Sequence, residues 1–209
     1  MSAIWTKICG ITRAEDAEAV AGMGADAVGF VLYPGSKRAV SVADCAELTA
    51  SIVSPVRRVG LFVNPDIELV QQAVAEAGLD LLQFHGEEAE SFCSLFGVPY
   101  MKAIRVRNLE QAEEEIAKYS SAEMILLDSY QENVPGGTGK TFDWSVAADL
   151  VSTSSQPVVL AGGLNAGNVK AAIEQVRPFG VDVSSGVESS PGHKDLVAVR
   201  QFIESSKSV

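Results

Sequence analysis

The chain has 209 residues, 47% of them hydrophobic and 21% charged, with a net charge of −11, which is the composition of an ordinary globular domain. The acidic balance and the lack of a basic cluster argue against nucleic acid or an anionic membrane as partner. Three widely spaced cysteines form neither a disulfide framework nor a zinc pattern. Residues 1–7 lack the apolar core of a signal peptide, and no apolar run approaches the roughly 20 residues of a membrane span. A cytoplasmic protein with one domain over 1–209 is expected.

Strand-like and helix-like patterns alternate from end to end. Strands are expected over 5–9, 27–32, 58–63, 79–84, 100–106, 124–128, 158–161 and 181–184. Between them apolar residues recur at spacings of three and four, the helical period. The stripes are Ile67, Val70, Val74; then Ala89, Phe92, Cys93, Phe96; then Trp144, Ala147, Ala148, Val151. Val169, Ala172, Ile173 and Val176 form the next, and Leu196, Val199 and Ile203 the last. Ser41 before Val42, and Asn165 before the seventh helix, are the expected N-caps. Eight βα units of about 26 residues each give a compact (β/α)8 TIM barrel of the α/β class. A doubly wound sheet is the rival, but the first βα turn, Cys9-Gly10-Ile11-Thr12-Arg13, lacks the GxGxxG of a dinucleotide fold.

In a barrel, functional side chains belong at the carboxyl ends of the strands. Strands seven and eight end in Gly162-Gly163 and Ser184-Ser185-Gly186. Paired small-residue turns of this kind expose backbone N–H groups and make a phosphate cradle. Side chains at i and i+2 share a strand face, so Lys7 with Cys9, Gln83 with His85, and Asp182 with Ser184 are same-face pairs. Cys9 ends the first strand, and a neighbouring Lys7 would lower its thiol pKa. Lys7 also fits a purely structural ion pair with Asp182. Cys45 and Cys93 fall in helical stripes and read as buried hydrophobes. Asp128 follows four apolar residues, where desolvation would raise a carboxyl pKa and suit a proton donor. Arg38 lies in the second βα loop, where a guanidinium can clamp a carboxylate. The run Gly136-Gly137-Thr138-Gly139-Lys140 lacks P-loop spacing and reads as a lid. Of the two histidines, His85 follows a strand and is a candidate for the pocket wall, and His193 reads as solvent-facing; two histidines support no multi-histidine metal centre.

Nine blocks in order carry a resemblance: Lys7-Ile8-Cys9-Gly10-Ile11-Thr12, Gly29-Phe30-Val31, Ser36-Lys37-Arg38, Val59-Gly60-Leu61-Phe62-Val63-Asn64, Gln83-Phe84-His85-Gly86, Leu127-Asp128-Ser129, Gly136-Gly137-Thr138-Gly139, Leu160-Ala161-Gly162-Gly163-Leu164, and Val181-Asp182-Val183-Ser184-Ser185-Gly186-Val187-Glu188. Through them nearly the whole chain resembles the phosphoribosylanthranilate isomerases of tryptophan biosynthesis. The resemblance implies a cofactor-free Amadori rearrangement of a small phosphorylated substrate, with Cys9 as general base and Asp128 as general acid. It implies that Arg38 holds the anthranilate carboxylate, that Gly162, Gly163, Ser184, Ser185 and Gly186 surround the phosphate, and that no metal takes part. Lys7, His85 and Asp182 complete the expected substrate-binding set. The oligomeric state stays open, with a monomer favoured. Rivals are the histidine-pathway isomerase, which has two phosphate sites, indoleglycerol-phosphate synthase, and a non-catalytic phosphate-binding barrel.

Overall fold

The protein is described by a computed structural model over residues 4–52, 55–129 and 143–209. The glycine-rich stretch expected as a lid lies outside these residues. Eight parallel strands, β1 (Trp5–Cys9), β2 (Ala27–Val31), β3 (Arg57–Phe62), β4 (Leu81–Phe84), β5 (Tyr100–Val106), β6 (Met124–Ser129), β7 (Val158–Leu160) and β8 (Gly180–Val183), close into a barrel in chain order. The helices α1 (Ala14–Gly22), α2 (Val42–Ala50), α3 (Ile67–Ala77), α4 (Glu90–Cys93), α5 (Leu109–Ile116), α6 (Trp144–Thr153), α7 (Val169–Val176) and α8 (Leu196–Lys207) alternate with the strands. A small hairpin of β9 (Glu188–Ser190) and β10 (His193–Lys194) precedes α8. The fold is the expected TIM barrel.

Strands buried on both faces need apolar side chains in both directions. Outward residues such as Phe30, Phe62, Leu82, Phe84, Ile125 and Leu127 join the helices in one large core. Inward residues Ala27, Val59, Leu81, Met101, Ala103, Met124, Leu126, Val159 and Ala161 make a second, interior cluster. Chain parity then fixes what lies above that cluster. Cys9 alternates with the outward Ile8, His85 with Phe84, Asp128 with Leu127, and Asp182 with Val181 and Val183. Four polar side chains therefore enter the barrel mouth from four walls.

The stripes find their core. Val169, Ala172, Ile173 and Val176 are the buried face of α7. Ser41 caps α2 in a full capping box with Asp44, satisfying two backbone donors that the helix leaves free. The expected helix over Ala89–Phe96 is shorter: α4 has one turn, and Ser94–Phe96 continues as a 3₁₀ turn ended by Gly97 at φ +67°. Asn165 is not the cap of α7. Asn168 is the residue at that boundary, and its Oδ1 accepts from the Asn165 N–H at 2.8 Å. Asn165 instead closes a local turn on Gly167 N–H at 2.9 Å.

Candidate active site

Cys9 sits opposite Gly29 in the β1–β2 register. A Cβ on Gly29 would stand 2.7 Å from the Cys9 sulfur and 3.1 Å from Lys7 Cε. The missing side chain on β2 is what makes room for a thiol and an ammonium side by side. Lys7 Nζ donates to Asp182 Oδ1 at 2.9 Å, joining the first strand to the last. Lys7 is wholly buried beneath Cys9 and is absent from the cavity wall, so it meets a ligand only through Cys9 and Asp182.

Lys7 lowers the thiol pKa as expected, but the net shift is upward. Burial pushes Cys9 up, Lys7 pulls it down, and Asp182 pushes it up again, leaving it above its ordinary value of 9.0. The cation is present, but a buried cation already paired with a carboxylate does not offset desolvation. Burial opposes the charge on Lys7 too, yet Asp182 and Cys9 hold its pKa above the usual 10.5. The resting site is a thiol over an ammonium–carboxylate pair.

Asp128 faces the mouth from β6, 4% exposed. Its Oδ1 accepts from the Ser129 N–H at 2.8 Å, and its Oδ2 lies 3.1 Å from His85 Nε2. Gln83 Nε2 lies 3.2 Å from His85 Nδ1. The two ring nitrogens of His85 link the Gln83 amide to Asp128 in one line across the mouth. His85 thus orients the carboxylate. Gly162, at φ +82°, is needed here: a Cβ would lie 2.9 Å from Asp128 Oδ1 and 2.7 Å from the Ser129 nitrogen.

Gly162 and Gly163 both have positive φ, +82° and +70°, a region that costs other L-residues roughly 1–2 kcal/mol. Asn168 Nδ2 donates to the Gly163 carbonyl at 3.0 Å, pinning this turn to the start of α7. Ser184, Ser185 and Gly186 form the adjoining turn after β8. Arg38 reaches the same mouth from the β2–α2 loop, its stem passing over Gly10, where a Cβ would lie 2.6 Å from Arg38 Cδ.

One cavity is lined by Cys9, Arg38, His85, Asp128, Gly162, Gly163, Asp182, Ser184, Ser185 and Gly186. Every residue expected at the site is there except Lys7. Two residues with a part in the site escaped that reading. Glu188 takes a bidentate contact from Arg38, and Lys194 donates to Glu188 at 2.9 Å. Glu188 stood in a recognised block with no role assigned, and Lys194 carried no sequence signal. Among the described residues no group of three or more His, Cys, Asp or Glu is placed to hold a metal ion, and no helix is long and apolar enough to cross a membrane. The site combines a thiol, a carboxyl group, a guanidinium and a paired small-residue cradle around one opening.

Comparison with known proteins agrees along the full length. The family model for N-(5'-phosphoribosyl)anthranilate (PRA) isomerase matches residues 6–205. The N-(5'-phosphoribosyl)anthranilate isomerase of Pseudomonas putida (strain W619) is 48% identical over 207 residues, covering 99% of each chain. The phosphoribosyl anthranilate isomerase of Thermotoga maritima superposes with a TM-score of 0.90 at 42% identity, covering 99% of this chain and 100% of that one. A phosphoribosyl anthranilate isomerase solved with reduced 1-(o-carboxyphenylamino)-1-deoxyribulose 5-phosphate aligns with a TM-score of 0.87 at 40% identity, over 99% of this chain and 100% of its own. By sequence, by fold and by the full length of the match, this chain belongs to the N-(5'-phosphoribosyl)anthranilate isomerase family.

Proposed function

We propose that this enzyme, a PRA isomerase of tryptophan biosynthesis, works by acid–base catalysis between Asp128 and Cys9. The observation that carries the reading is their convergence, from β6 and β1, on one cavity that also holds Arg38 and the paired cradle. The substrate has an anion at each end, a phosphate and an aromatic carboxylate. The cradle of Gly162, Gly163, Ser184, Ser185 and Gly186 takes the phosphate, since backbone N–H groups suit its oxygens. Arg38 takes the carboxylate. The sugar is then held between acid and base.

Asp128 delivers a proton to the ribose ring oxygen. The C1–O bond breaks, and the nitrogen lone pair forms an iminium at C1. Cys9 then removes the C2 proton; the C–H electrons become the C1–C2 double bond and nitrogen recovers its lone pair. The enolamine tautomerises to the C2 ketone. Burial keeps the resting thiol protonated; as the iminium's positive charge approaches, the thiol gives its proton to water in the open cavity, and the thiolate so formed takes the C2 proton. Lys7 holds the resulting thiolate from below, and His85 keeps Asp128 in place. No cofactor takes part, and the accompanying reading is a cytoplasmic enzyme.

The test is steady-state turnover of Cys9→Ser and Asp128→Asn with thermal unfolding alongside. Each should lower kcat by about 10²–10⁴-fold, the usual weight of a general acid or base, with the fold intact. In deuterated water, Asp128→Asn should stop ring opening, and Cys9→Ser should still open the ring without exchanging C2. More than half the wild-type kcat in either variant overturns its role.

A further inference from the structure

The group called on to hold the carboxylate is already engaged. Arg38 Nε donates to Glu188 Oε1 at 2.8 Å and Arg38 Nη2 to Glu188 Oε2 at 2.6 Å. A guanidinium has two edges able to grip a carboxylate, the Nε–Nη2 side and the Nη1–Nη2 end. Glu188 uses the first and leaves the second. The Glu188 side chain is 4% exposed and that of Arg38 16%, so the pair is buried on Glu188's side and open on the other.

A neutral Arg–Glu pair would be a poor anion site, and a third charge changes that. Lys194 Nζ, whose side chain is wholly buried, donates to Glu188 Oε1 at 2.9 Å and to the Ser184 carbonyl at 3.1 Å. Two cations and one carboxylate leave the cluster with a net charge of about +1. The Ser184 carbonyl belongs to the turn after β8, on the cradle side of the cavity. One chain of contacts, Ser184–Lys194–Glu188–Arg38, therefore joins the two anion-holding ends of the cavity.

We infer that Glu188 is a positioning residue that fixes the plane of Arg38, through Lys194, so that the guanidinium's free end meets the substrate carboxylate at a set distance from the phosphate turn. This rests on Arg38 being the carboxylate clamp. Three consequences follow from the geometry. Glu188 acts on binding rather than on proton transfer. Its effect vanishes for a ligand without the carboxylate. Its effect also vanishes when Arg38 is gone.

Glu188→Asp is the principal test, because it keeps every charge and only withdraws the carboxylate. It should raise KM roughly tenfold while kcat stays within about threefold. The preference for the natural substrate over N-(5-phosphoribosyl)aniline, which lacks the carboxylate, should fall by the same factor. Glu188→Gln keeps the length and makes the cluster more positive. A residue that merely tempered charge would lower KM when neutralised, whereas a positioning residue raises it. Added to Arg38→Met, Glu188→Asp should have no further effect on KM, the non-additivity expected of residues acting through one another. Thermal midpoints are measured for all variants, and if Glu188→Gln fails to fold, Glu188→Asp decides alone. Unchanged discrimination in Glu188→Asp, or effects that add to those of Arg38→Met, overturns the inference. If Arg38→Met itself leaves discrimination unchanged, the clamp reading falls and this one with it. A loss in Arg38→Met without one in Glu188→Asp removes only the role of Glu188.

Discussion

Lys7 and Lys102 are both buried with a carboxylate at the same distance, and they do different work. Lys7 lies 2.9 Å from Asp182, and Lys102 lies 2.9 Å from Glu88. Lys102 points outward from β5, and its ammonium also donates to the carbonyls of Phe84 and Gly86 and lies 5.3 Å from the centre of the Tyr119 ring. Glu88 in turn accepts from the Asn64 and Gly86 N–H groups. All of these groups are satisfied, and the pair locks the β4–α4 loop to β5. Lys7 has Asp182 and, beside it, the sulfur of Cys9, and Asp182 reaches the cavity. An ion pair with capacity left over, facing an opening, can respond to charge formed during a reaction. One with its contacts complete can only hold structure.

The comparison breaks first at Lys102. Lys102→Met should cost about 3–5 kcal/mol of stability, because it strands a buried carboxylate. Turnover per folded molecule should stay within twofold; denaturant unfolding and active-site titration measure the two quantities. A large loss of kcat without loss of stability would make Lys102 functional and end the distinction. Lys7→Met should show the opposite pattern. Its carboxylate partner can be hydrated from the cavity, so stability falls less, while kcat drops by about 10²-fold as the thiolate loses the ammonium beside it. The sign on the pH axis is fixed. Lys7 lowers the Cys9 pKa, so removing it moves the rising limb of the rate profile to higher pH, and an unmoved limb would deny Lys7 its effect on the base.

The smallest expected effect uses the other thiols as a reference. Burial pushes Cys45 and Cys93 from 9.0 to about 12. Their native-state pKa values are raised, so their contribution to stability is complete below pH 9.0 and declines as pH rises toward about 12. Denaturant midpoints between these limits should slope downward, and Cys45→Ala should flatten the slope; an identical slope in that variant would assign the loss to other groups, Tyr119 among them.

Strand positions were legible because a parallel sheet covered on both faces writes itself as short apolar runs. All eight appear within two residues of their expected ends. Helices α1 and α5 were harder to read. Their segments, Ala14–Gly22 and Leu109–Ile116, are rich in Ala and Glu and bury only Asp16, Ala17, Val20 and Ala112, too little for a clear stripe. At the site, the polar residues on strand ends could be read from parity alone. The Arg38–Glu188 contact joins residues 150 positions apart, and spacing says nothing about such a pair. Nor does sequence weigh opposing effects. That Lys7 stands near Cys9 followed from two positions on one strand, whereas the outcome at the sulfur depended on how deeply both are buried.

The closure of β1 on β8 sets an order in time. Lys7 and Asp182 stand 175 residues apart, so a chain made from its N-terminus carries the Cys9 thiol past six intervening strands, β2 to β7, before β8 exists. Until β8 docks, that thiol is exposed, with an ordinary pKa and no wall around it, and thiolate character together with access is what oxidants select. In the finished barrel Cys9 is 4% exposed and its pKa is raised. The burial that raises the Cys9 pKa also shields the thiol from oxidants, and the protection arrives only when β8 closes the barrel.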